Sequence, residues 1–508
     1  MRRPDLFAIA PGAAVFLLAR LPSLLEPRWY TDEAGYASTA KTLLRGKRLY
    51  SGIWTNKPPL QILLIAIPVA IDQRSELLLH ILSLTFGICA LAATAVIATR
   101  LLSPRPAALA LVVAALVLGT PIVDAELALP ESLLIAPASW AAAIVLLRTF
   151  DGEGPVEGDR WAVVAGVLIA AAIAIQQTAV ADAAALALVI LLSPRTTLRQ
   201  LLLFVGTAAA ITLAWLVVVA VLASPGTVAY ALAGFYVGYT ERVQAGAATP
   251  AAPRLTLVAL ATVLAIVGAV ALRRSPHPSW ALALWAGATL LVPAAAAVPY
   301  PHFLAPSVIP GALLLASLPV ERVTRPAAAA VRLGAMGLTA GFLVSLVMAR
   351  TAGLDWIPAD QPLDATDPRT LPWYYGDAVA VALHARSDRE WEDGFDPRAA
   401  ADSAAADWIN AHGLSGHSAV VWSRDAWVYL LADLPVLLPT APIYNDEILM
   451  GTGGPVVDRV AAISPDLVVT SDDAVADWPE ITPLLRTRYR QVLHSGPDSV
   501  WVRQDIPV

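Results

Sequence analysis

Cysteine, lysine and charge are all scarce in this chain of 508 residues. Its one cysteine, Cys89, excludes an internal disulfide, and because it lies in an apolar run it leaves the redox compartment unread. Charged residues make up 15% of the sequence and hydrophobic residues 57%, with mean hydropathy +0.64, values that belong to a polytopic membrane protein. There are three lysines, Lys41, Lys47 and Lys57, and arginine carries nearly all other positive charge. That bias is a mark of a GC-rich genome more than of any function. No internal repeat stands out, and the C-terminal part has no G-x-G-x-x-G and no P-loop, so nothing there signals nucleotide binding. A nucleic-acid partner is not expected. The Met-Arg-Arg start resembles a signal n-region, but Leu6 to Leu25 is long and lacks a small-residue cleavage site, which predicts a retained helix.

What charge there is lies unevenly. From Thr351 onward, 24 acidic and 10 basic residues give a net −14, while the 350 residues before it carry +8. A basic membrane region is therefore followed by an acidic, water-soluble tail. Apolar runs near spanning length fall at about 6–25, 77–99, 107–123, 133–147, 161–175, 178–193, 201–223, 255–272, 280–298, 303–319 and 327–349, which predicts eleven transmembrane helices. A twelfth run, Pro59 to Ile71, covers only about 20 Å as a helix and is interrupted by Pro68, too short for a hydrocarbon core of about 30 Å. If it lies in the interface, the connectors at Arg100/Arg105, Arg148/Arg160, Arg195/Arg199, Arg273/Arg274 and Arg322/Arg325 share the side of Arg2 and Arg3. The positive-inside tendency then makes the N-terminus cytoplasmic. The loop 26–76 and the tail lie outside. In the tail, Ala419 to Trp422, Pro465 to Ser471 and Ser499 to Gln504 read as strands, and 399–411 and 455–463 as helices; 355–398 reads as a linker or irregular cap.

The chemistry gathers in the outer loops. Trp29 to Leu60 is a polar island after the first apolar run, holding Asp32, Glu33 and all three lysines. A carboxylate at a membrane face can act as a general base toward a hydroxyl or hold a cation near a phosphate. Alternatively, Thr31 or Asp32 caps a helix running through Ala34, Ala40 and Leu44. Lys57 precedes Pro58 and Pro59, so its ammonium is aimed by a stiff, extended backbone. It suits a phosphate, or it is an anchor snorkelling to the interface. Asp124, Glu126 and Glu131 cluster in a later outer turn, where charge beside apolar helices is costly and marks function. Glu131 also complements a helix dipole. His302, in Tyr300-Pro-His-Phe303, suits a phosphate, a metal or the aromatic belt. Gln176-Gln177-Thr178 and Tyr236, Tyr239, Glu241 and Arg242 fall on the same side.

The order of these motifs resembles a known family. A first helix, an outer loop with D-E…Y…A…L…G…L-Y, then K-P-P-L and a short amphipathic run is similar to the GT-C superfamily. Within it, the likeness is to bacterial lipid-carrier-dependent glycosyltransferases of the protein mannosyltransferase and aminoarabinose transferase type (glycosyltransferase family 39-type). It is clearest from Leu21 to Leu102, weakens through Glu131, and returns at HFLAPSVIPGALLLA, His302 to Ala316. The resemblance implies a polyprenyl-phosphate sugar donor, and transfer outside the cytoplasm to a hydroxyl on a cell-envelope glycan, lipid or protein. It places Asp32 at the family's catalytic acid, Lys57 at its donor-phosphate lysine, and Glu131 or Glu126 at its second-loop carboxylate. Asn56 stands where relatives often carry an acid, and Gln176/Gln177 where some have lysine, so involvement of a divalent metal stays open.

The expected fold is an α-helical polytopic membrane protein of GT-C type. Residues 1–350 form the transmembrane catalytic module and 351–508 an extracytoplasmic α/β domain, in the plasma membrane. The candidate catalytic residues are Asp32, Glu33 and Glu131; the candidate substrate contacts are Tyr36, Lys57, Glu126, Arg242 and His302. The reaction read from them is inverting, with Asp32 as base. Two other readings are a membrane transporter or flippase, for which Asp182 is the main intramembrane charge, and a non-catalytic scaffold.

Overall fold

The computed structural model describes residues 6–152, 154–237, 239, 252–273, 277–296, 300–317, 326–353, 371–451 and 454–507. Each apolar run is helical. In chain order they are α1 (Leu6–Arg20), α4 (Glu76–Leu101), α5 (Pro104–Gly119), α6 (Pro130–Phe150), α7 (Arg160–Ile175), α8 (Val180–Leu192), α9 (Leu198–Leu222), α11 (Ala252–Leu272), α12 (Ser279–Ala295), α13 (Ala305–Ser317) and α14 (Pro326–Gly353). The gaps in that series are α2 (Thr31–Leu44) and α3 (Pro59–Ile71), both in the first polar loop, and the one-turn α10 (Pro225–Ala229). Among the described residues, three helices, α4, α6 and α9, are long and apolar enough to cross a membrane by length and composition.

Local rules explain many of the boundaries. Pro59, Pro104 and Pro130 each sit in the first turn of a helix, where a missing N–H costs nothing. Ser75 caps α4 by accepting the Leu78 N–H, and Thr197 with Gln200 forms a capping box on α9. Small residues then let helices approach. A Cβ on Gly12 of α1 would lie 2.8 Å from Leu111 of α5, and one on Gly119 would lie 2.8 Å from Ala19. Backbones this close gain dispersion contacts that lipid cannot replace.

Three of the arginine-rich connectors, at Arg100/Arg105, Arg148/Arg160 and Arg195/Arg199, meet at one end of the bundle, while Arg274, Arg322 and Arg325 lie outside the described residues. Arg100 pairs with Asp151 at 3.0 Å, Arg199 with Asp159 at 3.0 Å, and Arg195 donates to the carbonyls of Thr149 and Gly154. The first polar loop and the tail occupy the other end. Their junction is made of α2, whose Lys41 donates to the carbonyls of Tyr429 (2.5 Å) and Leu434 (3.1 Å) and pairs with Asp433 at 3.1 Å. Ser38 donates to the Ala426 carbonyl and Lys47 to that of Val436. All three lysines are thus structurally engaged or buried, and Lys41 and Lys47 tie the loop to the tail.

The tail holds a four-stranded sheet in the order β1 (Ala419–Trp422), β2 (Leu467–Ser471), β4 (Asp498–Arg503), β3 (Tyr489–Ser495). β1 and β2 are parallel, with Ala419 opposite Leu467, and the other two pairs are antiparallel. The helix Gly454–Ile463 makes the crossover and buries Val456 and Val460 against Val420, Trp422 and Val468. The sequence reading missed β3 altogether. It also took 355–398 for a linker or irregular cap, whereas helices Leu371–Ala382 and Asp388–Phe395 occupy its described part; 354–370 lies outside the described residues. Tyr374 and Trp391 of these helices bond Glu26 and the Leu25 carbonyl, so this segment packs on the end of α1.

Candidate active site

The first turn of α2 carries Asp32 and Glu33. Its N-cap is Tyr30, which makes no side-chain cap bond, so neither Thr31 nor Asp32 serves as the cap that the sequence allowed. The Asp32 carboxylate is instead held by two phenols. Tyr36, one turn along α2, donates to Oδ2 at 3.3 Å, and Tyr444 of the tail donates to Oδ1 at 3.2 Å. Glu33 turns away. It is buried, accepts the Ala128 N–H at 2.5 Å, and faces His80 of α4. Adjacent helix residues point about 100° apart, so the two carboxylates serve different spaces.

Lys57 lies at the end of a fixed, folded-back segment. Tyr50 adopts φ 69°, a conformation sterically costly for a bulky residue, and its hydroxyl donates to the Lys57 carbonyl at 2.7 Å. The Lys57 N–H reaches Thr55 Oγ1 at 3.3 Å, and Tyr236 donates to the Asn56 carbonyl at 3.1 Å. These bonds and Pro58 leave the side chain little choice of direction. The Lys57 ammonium is 5.7 Å from the centre of the Tyr36 ring, a cation–π contact. Among the described residues it has no hydrogen bond or ion pair of its own. Burial pulls its pKa down, but Tyr236, Glu131, Asp32 and Tyr239 outweigh that and raise it, so the lysine stays charged.

Glu131 opens α6, is buried, and accepts from Gln176 at 2.7 Å through Oε1, while Oε2 has no hydrogen-bond partner among the described residues. Its side chain lines a small pocket, with room for little more than a water, together with Thr178, Asp182, Thr289, Phe303 and Pro306. His302 sits in the one-turn 3₁₀ segment before α13, with Nδ1 3.3 Å from the Tyr30 hydroxyl and 3.4 Å from Asp124 Oδ2. Its ring stacks on Tyr300 at 5.4 Å, and Tyr300 in turn contacts Tyr239. The structure therefore brings Asp32, Tyr36, Lys57, Glu131 and His302 to one side of the bundle.

Glu33 and Glu126 separate from this group. Glu126 is buried with both carboxylate oxygens unbonded among the described residues, its backbone carbonyl accepting from Arg20 and Ser83. Burial, reinforced by Glu26 and Asp124, pushes its carboxyl well above the usual range. Arg242 lies outside the described residues. Residues that sequence reasoning left out are Tyr444, Tyr30 and Tyr300. Nothing in Ala441 to Met450 marks Tyr444 except an aromatic among polar residues in an acidic tail. Asp182, the main intramembrane charge, is satisfied by Trp285 Nε1 at 2.7 Å.

No known family model matches this sequence, and no curated protein does. Two crystal structures of ArnT from Cupriavidus metallidurans do share its architecture. The form bound to undecaprenyl phosphate has TM-score 0.59 and 17% identity, covering 98% of each chain. The apo form has TM-score 0.59 and 17% identity over 97% of each. The archaeal oligosaccharyltransferase AglB from Archaeoglobus fulgidus aligns at TM-score 0.42 and 15% identity over 98% of this chain and 75% of its own. At 17% identity the likeness to ArnT is one of fold, and it extends from the first helix through the tail. The chain shares the fold of ArnT, a likeness in line with the family resemblance of its loop motifs.

Proposed function

We propose that this chain is a glycosyltransferase that moves a sugar from a polyprenyl-phosphate carrier to an acceptor hydroxyl at the outer face of the membrane. The observation that carries the reading is the pairing of Asp32 with Lys57 through Tyr36, whose hydroxyl holds the carboxylate and whose ring faces the ammonium. A base and an anion ligand fixed on one aromatic residue suit a displacement at an anomeric carbon. Asp32 takes the proton of the acceptor hydroxyl as its oxygen bonds to the carbon. The bond to the carrier phosphate breaks, and Lys57 balances the charge that develops on the departing phosphate. Attack opposite the leaving group inverts the anomeric centre.

The leaving group keeps its lipid tail in the bilayer, which requires the two residues to sit where lipid and water meet. Their place on the first polar loop, beside the apolar α3 and opposite the arginine-rich end, supports that setting. Glu131 and His302 flank the site, and Tyr30, Tyr236 and Tyr300 supply aromatic surface of the kind that packs against a sugar ring. A transporter reading expects buried charge near the middle of the helices. Asp182, the main candidate for it, is bonded to Trp285, and Glu76 and Glu131 lie in first turns beside the polar loops, which favours the enzyme.

The test is direct. Purified protein is incubated with a panel of radiolabelled polyprenyl-phosphate sugars, with and without candidate hydroxyl acceptors, and release of lipid phosphate is followed. Acceptor-dependent release in the wild type and its loss in Asp32→Asn is the expected result. Absence of release from every donor and acceptor, by protein that still binds polyprenyl phosphate, would overturn the reading.

A further inference from the structure

Behind the first turn of α2, on the side away from Asp32, lies a second polar group that the transfer chemistry does not use. Glu33 of α2 and Glu76 and His80 of α4 present three donor atoms within 4.8 Å of one another, and all three side chains are buried. His80 Nε2 is 3.6 Å from Glu33 Oε2 and 4.0 Å from Glu76 Oε1. Those spacings are too long for hydrogen bonds, and the three atoms have no hydrogen-bond partner among the described residues. His80 itself is 0% exposed, and it aims a nitrogen between two carboxylates.

The surroundings fix what each donor can do. His80 Nδ1 lies 2.5 Å from the Ser23 carbonyl, which can only accept, so Nδ1 carries the proton. Neutral His80 then has its lone pair on Nε2, facing the carboxylates. A backbone carbonyl behind the imidazole is the support that metal-ligating histidines commonly use. Glu33 is held likewise, with Oε1 bonded to the Ala128 N–H and Oε2 left to face His80.

Charge points the same way. Glu26, Glu33, Glu76 and Glu126 are all buried in this part of the bundle, and they interact with one another and with Arg20 and Arg28. Carboxylates crowded into a poorly solvated region are favoured only beside a cation, and such a region attracts one. We propose that Glu33, Glu76 and His80 bind a divalent transition-metal ion, of which zinc best matches one imidazole and two carboxylates. Two donors on one tetrahedral zinc lie about 3.3 Å apart, so the 3.6 and 4.0 Å separations must shorten by about 0.3 and 0.7 Å, and the two carboxylates turn toward each other, as the ion enters. The ion joins the start of α2 to the start of α4 and, through Ala128, to the loop before α6. It holds rigid the turn on which Asp32 stands without touching the substrate. This site does not depend on the transferase reading, because metal content and heat stability report on it directly.

The test begins with full-length protein purified in detergent without chelator and without a metal-affinity step, its metal measured by plasma mass spectrometry. The expected result is roughly one zinc per chain, falling at least about tenfold in His80→Ala and in Glu76→Gln and staying unchanged in Glu126→Gln. Chelation lowers the melting temperature of the wild type, and zinc restores it. If the variants do not fold, cobalt(II) exchanged into the wild type gives visible absorption bands of a low-coordinate His–carboxylate site. Wild type with no bound metal, no thermal response to zinc and no cobalt spectrum overturns the proposal, as does zinc retained by a folded His80→Ala protein.

Discussion

Tyr444 donates to Asp32 Oδ1 across 412 residues of chain, at 3.2 Å, so the tail contributes directly to the carboxylate proposed as the base. Hydrogen bonds to a charged acceptor are worth about 1.5–3 kcal/mol when well formed. At this length the lower part of that range applies. Tyr444→Phe removes the donor and keeps the ring, and the expected outcome is a roughly tenfold fall in kcat/KM with an unchanged melting temperature. A rate equal to the wild type's would separate the tail from the chemistry.

Asp32 itself is tested by Asp32→Asn, which keeps the shape and one acceptor oxygen for a phenol but removes the proton acceptor. Turnover should fall by about 10²–10⁴-fold, the usual contribution of a positioned base. Binding of the lipid donor should survive, since Lys57 is untouched. Near-normal turnover would move the role of base to Glu131, the other candidate carboxylate on this side.

Lys57 makes a different kind of contribution. Lys57→Met should weaken binding of polyprenyl phosphate and slow transfer by about 10- to 150-fold, the range for a charge-assisted contact. Lys57→Arg should recover part of both, because a guanidinium binds phosphate with different geometry. Full activity in the arginine variant together with normal donor affinity in the methionine variant would make Lys57 an anchor only.

The contrast with Lys41 shows what was and was not legible in the sequence. Proline and polar punctuation fixed α3, whose observed limits, Pro59 and Ile71, coincide with the apolar run between Pro58 and Asp72. β1 was likewise marked by an uninterrupted buried run, Ala419 to Trp422. β3 was not, because it is an edge strand whose residues Arg490, Gln491 and His494 are exposed, leaving little apolar pattern to read. At the site, Asp32 and Lys57 were visible because charge beside a membrane segment is rare. The burial of Lys41 and the reach of Tyr444 were not, since both depend on how the tail folds back onto α2. That Glu33 diverges from Asp32 was readable in principle, from helical geometry alone.

Lys41→Met should therefore act on stability rather than on donor affinity. It takes the Lys41 donor from the Leu434 carbonyl and from the Tyr429 carbonyl, which keeps the Leu434 N–H, in a buried junction, at a cost of about 1–3 kcal/mol. Burial lowers the Lys41 pKa from 10.5 to about 8 against the opposing pull of Asp433. Between those values the unfolded chain keeps a proton that the folded chain has released, so this group makes stability rise with pH across that window. Thermal melts from pH 7.5 to 10 should show that rise in the wild type and a smaller one in Lys41→Met. Equal slopes would mean that Lys41 does not titrate there.

The arrangement as a whole rests on which end of the bundle faces out. Ser51, in the polar loop, and Ser415, in the tail, are both exposed and lie at the same end, whereas Ser103 is exposed among the arginine-bearing connectors at the other. Cysteines placed singly at these positions, in a Cys89→Ala background, are each accessible to a membrane-impermeant maleimide only from their own side. Intact cells should label Ser51→Cys and Ser415→Cys, and Ser103→Cys should react only after the membrane is opened, since arginine-rich turns stay in the cytoplasm. The 13 residues of α3 govern the outcome, because a spanning α3 would put Ser51 and Ser415 on opposite sides. Labelling of one but not the other in intact cells would thus place Asp32 and Tyr444 across a membrane from each other, which their hydrogen bond forbids, and would overturn both the topology and the site.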